Sequence, residues 1–285
     1  MNRSIVNNLC RFVIMTASLS CAAIGGAAPD KPLTREQKKV AVVRLLKSFA
    51  GGDPGALDVI DPEHYTQHNL RLEDGLAGLN KRLAAVAPGS TVNVVRVLAD
   101  GDYVVAHSEF NFGTPLVAID IFRFHANRIV EHWDNIEQKC ASPNASGRTQ
   151  LDGPTAITDL DQTAANKTLM REYFNVVVIG GQRDQASRFR DSFHQHNCFG
   201  EDNKSGAQAT LGPFAKPGFV YRVDKEHIVL GEGNFVLVVN EGLFDDKPAM
   251  FYDFYRIADH KIVEHWDVIE AIPPQVDWKN PNGNF

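Results

Sequence analysis

Apolar positions along the chain fall into two regimes. After Thr34 they recur at helical spacing, with Val42, Leu45, Leu46 and Phe49 on one face. Thr34 and Gln37 form a capping box that opens this helix, and Gly51-Gly52 closes it. A second short helix is expected before Tyr65-Thr-Gln-His-Asn69. Valine and aromatic residues then alternate with polar ones, predicting strands over 92–98, 103–110, 116–124 and 128–137. Helices first and an antiparallel sheet afterwards indicate an α+β domain.

The same order recurs later in the chain. Gly51-Gly52 returns as Gly180-Gly181 at an offset of 129, and Gln67-His68-Asn69 returns as Gln195-His196-Asn197 at 128. Ile129-Val-Glu-His-Trp-Asp134 returns as Ile262-Val-Glu-His-Trp-Asp267 at 133, with Asp120-Ile-Phe-Arg123 matching Asp253-Phe-Tyr-Arg256 at the same spacing. Four landmarks in one order define two tandem copies of a single domain. The expected division is a leader at 1–27, a first domain at 28–152 and a second at 153–285. Residues 140–158, rich in Pro, Gly, Ser and Asn, read as tail and linker.

Strand alternation then predicts which side chains share a face. A two-residue turn at Ala126-Asn127 with strict antiparallel pairing sets Asp120 opposite Trp133 and Phe122 opposite Glu131. A turn near Phe112-Gly113 sets His107 opposite Ala118, diagonal to Asp120. One face is therefore expected to carry His107, Glu109, Asp120, Phe122, Glu131 and Trp133, and the other to carry His132 and Asp134. The second copy contributes Glu241, Asp253, Glu264 and Trp266 at the matching places. Carboxylates and an imidazole among aromatics suit proton transfer, because desolvation raises a buried carboxyl toward neutrality. The alternative for each acid is a water-facing position or a structural pair with Arg123 or Arg128. A one-residue slip in either turn reverses a whole strand.

Composition narrows the classes. Hydrophobic residues make up 44% of the chain and charged residues 22%, a globular balance. The net charge is -6, with lysines scattered rather than striped, which argues against nucleic acid. Arg3 and Arg11 precede the apolar run 12–23, and Gly25 and Ala27 stand at the −3 and −1 positions of a cut before Ala28. This is the pattern of a secretory signal, so the expected location is periplasmic or secreted. A lipid anchor at Cys21 and a buried N-terminal helix are the alternatives. No later run approaches the roughly 18 apolar residues of a membrane span. Cys140 and Cys198 remain after the leader, and a disulfide and two inert thiols are both open.

Taken together, Tyr-x-Gln-His-Asn, Gly-Asp-Tyr-Val-Val-Ala-His, Asp-Ile-Phe-Arg and Ile-Val-Glu-His-Trp-Asp resemble the SnoaL-like polyketide cyclases of the nuclear transport factor 2-like superfamily. The resemblance covers nearly all of the chain after the leader, once per copy. It implies a cone-shaped sheet around helices, open over an apolar pocket, and a tandem chain acting as an internal pseudo-dimer, with further homo-oligomers open. It also implies acid–base catalysis without metal or other cofactor, on a small hydrophobic substrate. Asp120 and Asp253 correspond to the acid/base aspartate, and His107 to the pocket histidine. Copy two departs from copy one in three places: Val239 for His107, Asn240 for Ser108, and His194 for Tyr65.

The expected function is an exported lyase or isomerase performing aldol or retro-aldol cleavage, dehydration or cyclisation. Asp120, with Asp253 in copy two, takes a proton. His107, His68, Tyr65 and His196 are candidate donors, and Trp133, Phe122 and Trp266 hold the apolar body. Glu109, Glu131, Glu241 and Glu264 complete the expected substrate site. The alternative is a non-catalytic carrier of a small hydrophobic ligand. Beyond the short His194-Gln-His196, no histidine spacing offers a metal ligand set.

Overall fold

A computed structural model of the chain describes residues 31–51, 53–203 and 218–285. The expected leader lies outside the described residues. Helix α1 (Arg35–Ser48) opens on the expected capping box: Thr34 Oγ1 accepts from Gln37 N at 3.3 Å, and Gln37 Oε1 accepts from Thr34 N at 2.9 Å. Val42, Leu45 and Leu46 are fully buried beneath it. A 3-10 turn over Pro54–Val59 leads to the short strand β1 (Thr66–Gln67), and α2 (Gly75–Ala84) follows. Four long strands complete the half: β2 (Thr91–Asp100), β3 (Tyr103–Asn111), β4 (Pro115–His125) and β5 (Arg128–Gln138).

The second half repeats this plan. Helix α3 (Thr163–Tyr173) runs on into a π-helical turn, Phe174–Val178. Then come β6 (His194–Gln195), β7 (Tyr221–Glu232), β8 (Phe235–Phe244), β9 (Lys247–Ala258) and β10 (Lys261–Ala271). The sheets have matching orders, β1-β5-β4-β3-β2 and β6-β10-β9-β8-β7. Each is antiparallel except where its short first strand lies parallel to its last, so each is a mixed sheet.

Both sheets are buried on both faces. In the first half, Val104, Ala106, Phe122 and Phe124 pack on α1 and α2; in the second, Val236, Val238 and Tyr255 pack on α3. The opposite faces meet each other, with Val105, Ile119 and Trp133 against Leu237, Phe254 and Trp266 in one core. The chain is thus an α+β pair of helix-lined sheets joined back to back.

The sheet register differs from the expected one by a bulge. Ala126 and Asn127 do form the two-residue turn, both at positive φ, and His125 pairs with Arg128. Phe124 then pairs with Ile129 but Arg123 pairs with Glu131, leaving Val130 as an extra residue. Asp120 therefore faces Asp134 and Phe122 faces His132. The same slip recurs at Val263 between Ile262 and Glu264. At the other hairpin, three residues separate Asn111 from Pro115, so His107 pairs with Ile119 rather than Ala118. His107, Glu109, Glu131 and Trp133 consequently lie on the face turned to the other half, away from Asp120, and Glu241, Glu264 and Trp266 do the same in the second copy.

The trailing segment of each half straps the other. Leaving β5, the chain joins Cys140 to Cys198 in a disulfide, with Cα atoms 6.2 Å apart. Asn144 Nδ2 then donates to the carbonyls of Gln195 (2.6 Å) and Asn197 (3.0 Å). Gly153, at φ +90°, passes so close to Trp266 that a Cβ would come within 2.9 Å of its ring, which requires glycine here. Leaving β10, the chain returns: Asn280 Nδ2 donates to the carbonyls of Asn69 (2.8 Å) and Leu72 (3.0 Å), and Asn282 Nδ2 to that of Gln67 (2.9 Å).

Candidate active site

The bulges bring together residues that strict pairing separates. In the first half His132 Nε2 lies 3.1 Å from Asp120 Oδ1, with both side chains buried. Gln67 Nε2 lies 3.1 Å from His132 Nδ1 and 3.3 Å from the Tyr65 hydroxyl. Gln67 Oε1 accepts from Asn69 N at 2.8 Å, which fixes the amide so that its NH₂ faces the ring. His132 thus accepts at Nδ1 and donates from Nε2 to Asp120. Asn69 Nδ2 in turn holds Asp134 Oδ1 at 2.6 Å.

Every link except that to the Tyr65 hydroxyl recurs in the second half. His265 Nε2 lies 3.1 Å from Asp253 Oδ1, and Gln195 lies 3.0 Å from His265 Nδ1. Asn197 N donates to Gln195 Oε1 at 3.0 Å, and Asn197 Nδ2 to Asp267 Oδ1 at 2.8 Å. An aromatic ring covers each imidazole: Phe122 over His132 and Tyr255 over His265, each with centroids 4.5 Å apart.

The copies differ at the free carboxylate oxygen. Asn240 Nδ2 donates to Asp253 Oδ2 at 3.1 Å, whereas Ser108 stands at that place in the first half and leaves Asp120 Oδ2 buried without a partner. Tyr65 is matched by Phe193, not by His194, because Thr66 and His194 hold the equivalent pairings to Glu131 and Glu264.

Burial and neighbouring charges keep protons in these clusters. Burial raises Asp120 above the usual carboxylate range although the His132 hydrogen bond opposes it. Burial opposes protonation of His132, but the bond to Asp120 and the charge of Asp134 outweigh it and raise the imidazole. Asp134 is pushed up to about 7, mainly by burial. His265 and Asp267 shift upward for the same reasons.

The remaining candidates have structural surroundings. His68 stacks on Trp133 at 4.5 Å and bonds through Nδ1 to the Gly283 carbonyl at 3.1 Å. His196 stacks on Trp266 at 4.4 Å and bonds through Nδ1 to Asp152 at 2.6 Å. His107 lies against Arg96 at 3.2 Å, and burial followed by that cation pushes it well below its ordinary value. Glu131 pairs with Arg123, Glu264 with Arg256 at 2.9 Å, Glu109 with Lys139 at 2.6 Å, and Glu241 with His227 at 3.0 Å. Of the expected site residues, the inner faces keep Asp120, Asp253, Phe122 and Tyr65. His132, Asp134, Gln67 and Asn69, with their copies, complete the clusters. Their signal was present in the repeated Gln-x-Asn and His-x-Asp spacings, the second of which puts two side chains on one face of β5 and of β10.

A cavity of about 230 Å³ opens onto the second cluster, and Asp253 and His265 line it. Its apolar walls include Phe174, Val177, Phe193, Val223 and Ile262, and three tyrosines, Tyr173, Tyr221 and Tyr255, also line it. Burial raises all three phenols, so each is a neutral hydrogen-bond donor. Asp120, His132 and Asp134, like Asp253, His265 and Asp267, also place ligand-type atoms within 4.8 Å of one another. The histidine nitrogens, however, already serve the aspartate and the glutamine. That donor set suits a held proton better than a cation.

No family model matches the chain, and no curated protein matches it. Solved structures do. TsrD from Streptomyces laurentii is 22% identical, covers 37% of this chain and 92% of its own, and has a TM-score of 0.33. IdmH from Streptomyces antibioticus is 19% identical over 35% of this chain and 92% of its own, with a TM-score of 0.31. An NTF-2-like protein of unknown function from Burkholderia xenovorans is 20% identical over 38% and 90%, with a TM-score of 0.34. Other matches carry SnoaL-like polyketide cyclase and ketosteroid isomerase names.

Proposed function

We propose that the second half is an acid–base enzyme of the isomerase or lyase kind, working without metal or other cofactor on a small, largely apolar hydroxy-carbonyl or aromatic compound. The observation that carries this reading is the buried Asp253–His265 pair on the wall of a cavity that three tyrosines also line. Asp253 takes a proton from substrate carbon or hydroxyl, and His265 and Asn240 hold its carboxylate in position. A tyrosine hydroxyl donates to the oxygen on which charge develops. Acid–base assistance of this kind contributes roughly 10²–10⁴-fold, and each oriented oxyanion donor about 10²–10³-fold. Export through the leader belongs to the same proposal. The Cys140–Cys198 bond supports it, since such bonds persist in oxidising compartments.

A carrier is the second reading, favoured by one observation: both oxygens of Asp253 already accept hydrogen bonds. The test is turnover of aromatic β-hydroxy carbonyl compounds and enolisable ketones by the purified chain, with and without chelator. Asp253→Asn should lower the rate by about 10²–10⁴. Asp120→Asn, at a residue that does not line this cavity, should leave it unchanged. Binding without turnover in the wild type would establish the carrier.

A further inference from the structure

We propose that the ligand of the second-half cavity is an anion, a carboxylate on an apolar body, and that Arg183 reads its charge. The inference rests on that cavity being the ligand site, but not on any reaction occurring there.

Three arginines line the cavity, Arg183, Arg190 and Arg222, against one carboxylate, Asp253, which is already held by His265 and Asn240. Two of the three are engaged. Arg222 makes a two-point pair with Asp224 at 2.5 and 3.1 Å. Arg190 lies over the Phe193 ring at 4.5 Å and has further partners. The Arg183 guanidinium has no ion-pair partner among the described residues, and its sequence neighbour Asp184 is turned to Gln185 at 3.0 Å. Arg183 is itself exposed, so its unanswered guanidinium stands where the cavity meets solvent, and it presents there a planar fork that matches a carboxylate.

The feature belongs to this half alone. Arg183 follows Gly181 at the start of a short 3-10 turn, with its N–H bonded to the Gly181 carbonyl at 2.9 Å. Counted from the paired glycines, Pro54 stands at that place in the first half. The apolar walls and the cavity volume of about 230 Å³ restrict the rest of the ligand to about one ring with a short chain.

The test is calorimetric titration of the full chain at neutral pH with matched aromatic acids and amides: cinnamic, salicylic and 3-hydroxy-3-phenylpropionic. At least one acid should bind about tenfold or more tightly than its amide. Arg183→Ala should abolish that preference, Arg183→Lys should keep part of it, and Asp253→Asn should keep it. The inference is overturned if no acid binds, if acid and amide bind alike, or if the preference survives in Arg183→Ala. An acid that binds with this preference but is never turned over sustains the inference and removes the enzymatic reading instead.

Discussion

Glu137 sits where β5 crosses β10, accepting from the Gln150 amide and, at 3.1 Å, from the backbone N–H of Ile269. Burial, reinforced by Asp267, pushes its carboxyl up to about 8. A folded value above the unfolded one means that the fold retains the proton. The contribution is complete below the ordinary value of 4.5 and is lost as pH rises through about 8. Asp134, at about 7, acts in the same direction at somewhat lower pH. Glu264 has the opposite sign: burial resists its ionisation, but His196 and Arg256 bring it down to about 2, so its stabilisation is complete above 4.5 and is lost as pH falls through about 2. Urea unfolding should therefore show stability falling between about pH 5 and pH 8.5, and Glu137→Gln should flatten the upper part of that fall. A level profile across the window would show that Glu137 and Asp134 ionise freely in the fold.

Elements were legible in the sequence where local chemistry alone decides them. Thr34 with Gln37, the buried face of α1 and the runs of valine and aromatics all predicted elements that the structure contains. The turn at Ala126-Asn127 was also legible, and it suggests a gain: Ala126 sits at φ 45°, where a β-carbon is strained. Ala126→Gly should stabilise the protein by about 1 kcal/mol in denaturant unfolding, and a loss would show that the backbone relaxes at no cost. The bulges were not legible. Ile129 and Val130 are both β-branched, and nothing in their composition marks which one leaves the ladder. That single residue decides whether His132 or Trp133 shares a face with Asp120, so the aspartate was identified while most of its expected companions were not. The short β1 and the helix α2 were missed because two residues carry no periodicity and α2 begins without a side-chain cap.

At the scale of the whole molecule, two copies of one design are fastened by their tails. The Cys140–Cys198 bond closes 58 residues, and loop-closure entropy sets its contribution at about 4 kcal/mol. Cys140→Ser should lower the guanidinium midpoint by a corresponding amount, and reduction of the wild type should have the same effect. A shift below about 1 kcal/mol would mean that the hydrogen-bonded strap fastens the halves by itself.

These straps grip the very motifs that orient the imidazoles. Asn144 of the first half anchors Gln195 and Asn197, and Asn280 and Asn282 of the second anchor Asn69 and Gln67. Each repeat has handed the upkeep of its own proton-bearing centre to its sibling. Damage to the end of one half is therefore felt in the other's centre.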